Sequence, residues 1–252
     1  FEMRRNLVVG NWKMKINQQS AQKLVDGLID GLPSEDADIA VCPPYLYIPE
    51  VSQRLANTTI GLGAQNVATH VEGAYTGEIA AVMLKDFNCK YAIVGHSERR
   101  ANYADTSQTV AQRFQQAIDA DIIPVLAIGE LLEEREDGTT FDVVEKQLNA
   151  VIDFSGIENF KKAVIAYEPV WAIGTGLTAS AEQAQEVHLF IRQLLAEKNQ
   201  QIAENIQILY GGSVKPQNAV ALFAMPDIDG ALVGGDSLSA DSFLKIYSSF
   251  QK

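Results

Sequence analysis

The feature that most constrains this chain is a regular alternation of short apolar runs and amphipathic segments along its whole length. Segments with apolar residues spaced by three and four, as in amphipathic helices, occur at 20–32, 107–120 and 181–198. Because the runs between such segments are almost continuously apolar, we expect a parallel sheet covered by helices. The eight runs are LVVGN (7–11), DIAVC (38–42), TIGLGA (59–64), YAIVG (91–95), IIPVLAIG (122–129), AVIAY (163–167), IQILYGG (206–212) and GALVGG (230–235).

The number of units distinguishes two architectures of this α/β class. Eight units in 252 residues fit a closed (β/α)8 barrel better than an open doubly wound sheet, which usually has fewer strands. No linker or low-complexity segment divides the chain, so the sequence predicts a single domain over residues 3–252. Phe1 is not a start residue, and we interpret residues 1–2 as a cloning remnant or a trimmed end.

Charge and composition argue against several classes of protein. A net charge of −12 and a pI near 4.7 disfavour binding to nucleic acid or to an anionic membrane surface. No apolar run approaches the roughly 18 residues of a membrane span, and the N-terminus is too soon polar for a signal peptide. Cys42 and Cys89 are too few for a disulfide framework and lack metal-site spacing. We therefore expect a cytoplasmic protein without a metal, in which a few side chains and backbone amides supply the positive potential that any anionic substrate needs.

Polar and glycine-rich segments follow the predicted strands. In a (β/α)8 barrel the functional groups lie at the carboxyl ends of the strands, so these segments should meet at one mouth. They read GNWKMK, GHSERR, IGE, YEPVWAIGTG, YGGSV and VGGDSL. The mouth would then collect two glycine pairs and the side chains of Asn11, Lys13, His96, Glu98, Glu130, Glu168 and Ser213.

Glu168, His96 and Lys13 form a set suited to proton abstraction next to a carbonyl group. A carboxylate can remove the proton, an imidazole can donate a hydrogen bond to the oxygen, and an ammonium can stabilise the oxyanion. Glu168 alone would more often be an ordinary surface acid, so the combination carries the hypothesis. His70 and His188 lack such neighbours, and we interpret both as structural.

Ser97 follows His96 and is interpreted as the N-cap of the helix that begins at SERR. The positive end of that helix would then point at the imidazole. We therefore expect His96 to be neutral.

The glycine pairs after the seventh and eighth runs predict a phosphate site. Glycine lets backbone N–H groups approach an oxyanion, and a following helix adds positive potential. One pair alone usually marks only a turn, whereas two pairs on consecutive strands indicate phosphate binding. Asp236 would repel a phosphate unless it caps the short helix and points away.

Two other chemistries fit this mouth less well. A metal site could use His96, Glu98, Glu130 and Glu168, but one histidine with scattered acids is a weak ligand set. A Schiff-base aldolase would need a desolvated lysine, and Lys13 is the only lysine at a strand end.

Together the motifs resemble the triosephosphate isomerase family over essentially the whole chain. They occur in the order VVGNWKMK, GAQN, GAYTGEI, VGHSERR, AYEPVWAIGTG, YGGSVKPQNA and DGALVGG. The resemblance implies a single-domain (β/α)8 TIM barrel that interconverts D-glyceraldehyde 3-phosphate and dihydroxyacetone phosphate through an enediolate. It implies no cofactor and a place in glycolysis and gluconeogenesis. Another sugar-phosphate isomerase or lyase, and a non-catalytic phosphate-binding barrel, stay open as alternatives.

The resemblance also implies a role for each matching residue. Glu168 would move the proton between two carbons, neutral His96 would act as electrophile and proton shuttle, and Lys13 would stabilise negative charge. Asn11 and Glu98 would complete the catalytic set. The substrate-binding residues would be Asn11, Lys13, Gly174, Ser213, Gly234 and Gly235. The lid and its hydrophobic clamp would comprise Pro169, Trp171, Ile173, Gly176 and Leu232.

Two contacts between segments also follow from the resemblance. Trp171 is expected to hydrogen-bond Glu130 when the lid is closed. A homodimer is implied in which the loop at 63–79 inserts beside the partner's active site. Thr76 would then lie against Asn11 and Glu98 of the other subunit.

Three residues depart from the family pattern. Ala127 stands where a cysteine is usual, Leu177 replaces a lysine at the far hinge of the lid, and Asp236 replaces an alanine. We expect a small void near the base, altered lid closure and weaker phosphate affinity, respectively.

Overall fold

A computed structural model of the chain describes residues 4–250. Residues 1–3, 251 and 252, which include the interpreted remnant and both ends of the predicted domain, lie outside the described residues. Eight parallel strands pair in chain order, and the last pairs with the first, so the sheet closes into a barrel. The predicted (β/α)8 barrel is confirmed. The strands are β1 (Asn6–Asn11), β2 (Ala37–Cys42), β3 (Gly61–Ala64), β4 (Tyr91–Val94), β5 (Ile123–Ile128), β6 (Val164–Tyr167), β7 (Ile208–Tyr210) and β8 (Gly230–Val233).

Helices surround the strands. Those predicted at 20–32, 107–120 and 181–198 are present as α1 (Gln18–Gly31), α5 (Ser107–Asp119) and α8 (Ala181–Lys198). The start of α8 is set by a capping box between Ser180 and Gln183. Within residues 4–250, no helix is both long and apolar enough to cross a membrane. The helices are α1 (Gln18–Gly31), α2 (Ile48–Leu55), α3 (Ala81–Lys85), α4 (Ser97–Asn102), α5 (Ser107–Asp119), α6 (Leu132–Glu136), α7 (Thr140–Ser155), α8 (Ala181–Lys198), α9 (Gln200–Asn205), α10 (Pro216–Phe223) and α11 (Ala240–Tyr247), with 3-10 turns at Tyr45–Tyr47, Ile157–Lys162, Val170–Ala172 and Gly235–Leu238.

The strands are apolar on both faces because each strand contributes side chains to two separate hydrophobic cores. Leu7 and Val9 belong to the core inside the barrel, whereas Val8 between them packs in the core shared with the helices. Successive strand residues point to opposite faces, so each strand fills both cores. The near-continuous apolar runs in the sequence follow directly from this arrangement.

A buried ion-pair network lies at the amino-terminal end of the barrel. Arg192 of α8 contacts Asp227 at 2.6 Å and Asp229 at 2.8 Å, and Arg4 also contacts Asp229 at 2.8 Å. His188, fully buried on the same helix, donates through Nδ1 to the Asp227 carbonyl at 2.9 Å. These contacts join α8 to the segment that leads into β8.

Candidate active site

A cavity of about 460 Å³ opens at the carboxyl ends of the strands, where the sequence predicts the site. We call it the mouth cavity. Most of the predicted site residues line it, while Glu98, Glu168, Pro169, Trp171 and Thr76 do not. The predicted residues in its wall are Asn11, Lys13, His96, Ile173, Gly174, Gly176, Ser213, Leu232, Gly234 and Gly235.

The wall of the mouth cavity is positively charged although the chain is acidic. Lys13, Lys15 and Lys215 line it, against the single carboxylate of Asp236. The predicted local positive potential is therefore present. Sequence reasoning missed Lys15 and Lys215, although both stand inside motifs that were recognised, GNWKMK and YGGSVKPQNA.

Asp236 does not cap the turn that follows β8. The N-cap residue of the Gly235–Leu238 turn is Gly234, and no side chain bonds to the free N–H groups there. Asp236 instead faces the mouth cavity. The prediction that it caps and points away is wrong, and the electrostatic conflict with a bound phosphate remains.

Glu168 lies immediately after β6 and is almost completely buried. Its Oε2 accepts hydrogen bonds from His96 Nε2 at 3.0 Å and from the Ser97 hydroxyl at 3.2 Å. Its Oε1 accepts the Ser97 backbone N–H at 3.1 Å. The carboxylate therefore faces Ser97 and not the mouth cavity, and it must turn before it can reach a substrate there.

For both Glu168 and His96, burial shifts the pKa in one direction and their mutual attraction shifts it in the other. Burial disfavours the charged form of Glu168, but the electrostatic attraction of His96 and the hydrogen bonds from His96 and Ser97 outweigh it, so the pKa of Glu168 lies below its ordinary value. Burial likewise lowers the pKa of His96, while the adjacent Glu168 carboxylate raises it, with a net increase. The charge state of His96 therefore depends on where Glu168 points.

His96 itself caps α4. Its Nδ1 accepts a hydrogen bond from the Glu98 backbone N–H at 3.1 Å. This bond requires an unprotonated Nδ1 and leaves the single ring proton on Nε2, as in a neutral imidazole. The prediction that Ser97 is the N-cap is wrong, because its hydroxyl is bonded to Glu168 instead.

Lys13 is held in a strained backbone conformation beside Asn11. Its φ of +54° lies in the left-handed region, which is costly for a residue with a side chain. The Asn11 side-chain oxygen accepts the Lys13 backbone N–H at 3.0 Å. The ammonium lies 2.7 Å from Glu98 Oε1. Asn11, Lys13 and Glu98 are thus brought together, as predicted from the strand ends.

The segment after Glu168 has the features of a lid. Trp171 Nε1 donates to Glu130 Oε1 at 2.8 Å, the contact predicted for the closed lid, and Tyr167 donates to the same carboxylate at 2.7 Å. Burial outweighs these two bonds and raises the pKa of Glu130. Gly174 and Gly176 adopt φ values of +67° and +81°, a region that favours glycine. Residues 174–178 are exposed.

A further cavity of about 210 Å³ lies behind Glu168, on the side of Ser97. We call it the rear cavity. Gly129 and Gln147 also line it. Ala127 is fully buried but does not line this cavity, so the rear cavity is not the void expected from the missing sulfur.

The loop after β3 extends into solvent beside a third cavity. Residues 71–78, which include Thr76, are all exposed. The third cavity, the side cavity, measures about 290 Å³ and is lined by Asn11, Asn66 and Glu98. Asn66 Oδ1 is buried and lacks a hydrogen-bond partner among residues 4–250. The side cavity thus offers a free acceptor next to the predicted catalytic residues.

Known proteins resemble this chain along almost its entire length. A family model described as Triosephosphate isomerase matches residues 6–250. The triosephosphate isomerase of Methylococcus capsulatus is 52% identical over 97% of this chain and 98% of its own length. Those of Psychromonas ingrahamii and Hydrogenovibrio crunogenus are each 53% identical over 97% of this chain, covering 98% and 97% of their lengths. With the family model spanning the barrel from β1 to beyond α11, this chain belongs to the triosephosphate isomerase family.

Proposed function

We propose that this chain is an intramolecular aldose–ketose isomerase that interconverts D-glyceraldehyde 3-phosphate and dihydroxyacetone phosphate. The observation that carries the proposal is the convergence of Glu168, His96 and Lys13 at the mouth of a barrel of this family. Moving a proton between adjacent carbons needs a base, a hydrogen-bond donor to oxygen and a cation for the enediolate. The activity belongs to glycolysis and gluconeogenesis, and the proton transfer calls for no cofactor.

The glycine-rich wall of the mouth cavity would hold the phosphate, and we call its residues Gly174, Ser213, Gly234 and Gly235 the phosphate wall. Gly174, Ser213, Gly234 and Gly235 all line this cavity, and glycine backbones leave their N–H groups open to an oxyanion. A Cβ atom placed on Gly234 would lie 3.5 Å from Lys13 Cε, so the lysine stem runs close to the phosphate wall. A short phosphorylated chain bound there would present its carbonyl to Lys13 and His96.

Proton transfer would begin when Glu168 turns from Ser97 to the substrate. The carboxylate takes the proton from carbon, the C–H electron pair forms the enediolate, and the same carboxylate returns the proton to the neighbouring carbon. Once Glu168 leaves, His96 loses the negative charge that raises its pKa, and burial then favours the neutral ring. Neutral His96 can donate from Nε2 to the substrate oxygens and move protons between them.

The lid would complete the site around the base. Ile173 from the lid and Leu232 from β8 line the mouth cavity, and closure would bring both against the turned carboxylate. Removing water raises the basicity of a carboxylate. Closure also protects the enediolate, which can eliminate phosphate when water has access to it.

A catalytic assay tests this proposal directly. Purified protein should convert glyceraldehyde 3-phosphate to dihydroxyacetone phosphate, and Glu168→Asp, which withdraws the carboxylate by one methylene, should lower kcat on the order of 10²-fold. Wild-type activity no higher than that of the variant would contradict the proposal. Turnover of larger sugar phosphates alone would favour another isomerase or lyase. Binding of substrate analogues without turnover would favour a phosphate-binding barrel.

We further propose a homodimer in which Thr76 of the partner subunit enters the side cavity. The exposed 71–78 loop can supply donors to the unpartnered Asn66 Oδ1, next to Asn11 and Glu98. Met14 and Tyr103, which also line this cavity, are 95% and 67% exposed, as expected of an apolar surface that a second copy covers. Gel filtration should show a dimer, and Thr76→Arg should give monomers with lower activity. A monomeric, fully active wild-type protein would refute this assembly.

We also propose that residues 3–252 act as one domain in the cytoplasm. The closed barrel uses strands from both ends of the chain, since β1 pairs with β8. Cys42 and Cys89 are free thiols, as is usual in a reducing compartment. Limited proteolysis would test the single domain, and cell fractionation would test the location.

A further inference from the structure

The side chain of Gln147 holds both polar groups of the Gly129 backbone. Gln147 Oε1 accepts the Gly129 N–H at 2.8 Å, and Gln147 Nε2 donates to the Gly129 carbonyl at 3.2 Å. Gln147 reaches from α7 to the residue that follows β5. The regular strand ladder ends at Ile128, so a side chain takes over the hydrogen bonds that would otherwise be left open.

Gly129 in turn lies directly against the backbone of Glu168. A Cβ atom on Gly129 would fall 1.6 Å from the Glu168 carbonyl oxygen and 2.5 Å from its carbonyl carbon, so the two main chains touch. The Glu168 N–H also donates to the Ile128 carbonyl at 2.7 Å. A shift of the Gly129 peptide would therefore move the main chain that carries Glu168.

Glu168 has main chain on one side and the rear cavity on another, while its carboxylate is bonded to His96 and Ser97. On the β7 side, a Cβ atom on Gly211 would lie 2.9 Å from Glu168 Cγ. On the Ser97 side lies the rear cavity, whose wall includes both Gly129 and Gln147. The position of the carboxylate thus depends on where these neighbouring backbones are held.

We propose that Gln147 is a positioning residue for the isomerisation, acting through Gly129 on Glu168. The inference rests on the proposed function, in which Glu168 is the base. Glu168 has to turn between Ser97 and the substrate, and only a fixed backbone makes the end point of that turn accurate. Misplacing a reacting group by about 1 Å can cost on the order of 10²-fold in rate, so a small shift of Gly129 matters.

Gln147→Met tests this role because methionine keeps the length of the side chain and removes both hydrogen bonds. We expect kcat to fall on the order of tenfold. KM should change by less than about twofold, because no residue of the phosphate wall is altered. The primary deuterium isotope effect on isomerisation should rise, since proton abstraction becomes slower relative to substrate encounter and release. Simple loss of stability would leave that isotope effect unchanged.

Glu145→Ala serves as the matched control, because Glu145 lies two residues away on the same helix and is likewise partly buried. It should leave kcat and the isotope effect at wild-type values. An active wild-type protein with an unchanged isotope effect in Gln147→Met would overturn the role of Gln147. An inactive wild-type protein would instead refute the proposed function. If Gln147→Met does not fold, Gln147→Glu provides a second variant, which keeps the acceptor for the Gly129 N–H. Its primary deuterium isotope effect should also rise above the wild-type value. An unchanged isotope effect in Gln147→Glu would equally overturn the inference.

Discussion

The buried Arg192 network at the amino-terminal end of the barrel is held by ion pairs, whereas the buried Glu168 at the mouth is held by hydrogen bonds that a turning side chain can exchange. Arg192 contacts two aspartates there and also donates to the Ala203 and Ile206 carbonyls. At the mouth, Glu168 is bonded to the His96 imidazole and to the hydroxyl and backbone N–H of Ser97. A hollow of about 500 Å³ at the amino-terminal end is no smaller than the mouth cavity, so volume does not distinguish the two ends.

The kind of partner distinguishes a buried carboxylate that fixes the structure from one that can react. A buried carboxylate beside a guanidinium is costly to separate, so it fixes structure. A buried carboxylate beside a hydroxyl and an imidazole can exchange these donors for a substrate at a lower cost. Changes at the amino-terminal end should therefore alter unfolding, and changes at the mouth should alter turnover.

The largest effect should come from Arg192→Met. Methionine fills much of the same space but leaves Asp227 and Asp229 without this partner. Breaking a buried ion pair by removing one member typically costs about 3–5 kcal/mol. We expect the free energy of unfolding in urea to fall by about that amount, while kcat of the folded fraction stays unchanged.

Lys245→Met is a suitable control for that measurement. Lys245 and Asp241 form an exposed pair at 2.9 Å, one helical turn apart on α11. Exposed pairs contribute roughly 0–1 kcal/mol, so this variant should unfold almost as the wild type does. An equal decrease in the free energy of unfolding of the two variants would mean that burial of the Arg192 network does not contribute to stability.

A smaller effect should appear in the pH dependence of stability. Burial lowers the pKa of His188 to about 4, below the ordinary value of about 6.5 for an unfolded chain. Between these two values the unfolded state binds more protons than the folded state. His188 therefore costs stability as the pH falls from about 6.5 towards 4, by up to roughly 1.4 kcal/mol per pH unit. Above about pH 6.5 it has no such effect.

His188→Gln keeps a donor for the Asp227 carbonyl and cannot be protonated. The free energy of unfolding of this variant should fall less steeply than that of the wild type as the solution is acidified through this window. His70→Gln, in the exposed loop after β3, should retain the wild-type slope. Parallel curves for His188→Gln and the wild type would show that His188 does not titrate on unfolding.

Sequence reasoning found the barrel because both faces of each strand must be apolar. Leu7 and Val9 fill the inner core and Val8 the outer one, so the strand is visible as a continuous run. The residues at the mouth then follow from the strand ends, where Asn11 and Lys13 are placed by β1 alone.

The direction of a side chain was harder to predict than its position. Ser97 and His96 are both able to cap α4, and only the contact with Glu168 decides which one does so. Gln147 lies 18 residues from Gly129 in an unremarkable helix, and no local pattern marks a contact of that kind. Such choices depend on neighbours that are distant in the sequence, and they appear only once the barrel has closed.

The smallest effect should come from Asp236→Ala, which restores the usual family residue. Asp236 is partly buried in the wall of the mouth cavity, among the glycines proposed to hold the phosphate. Removing its negative charge should lower KM by roughly twofold to threefold, with kcat unchanged, because phosphate repulsion affects binding more than proton transfer. The difference should shrink at high salt, since a charge open to solvent is screened. A clear rise in KM would mean that Asp236 assists binding, for example by orienting Lys13 or Lys15 across the cavity, and that the electrostatic sign assigned to it is wrong.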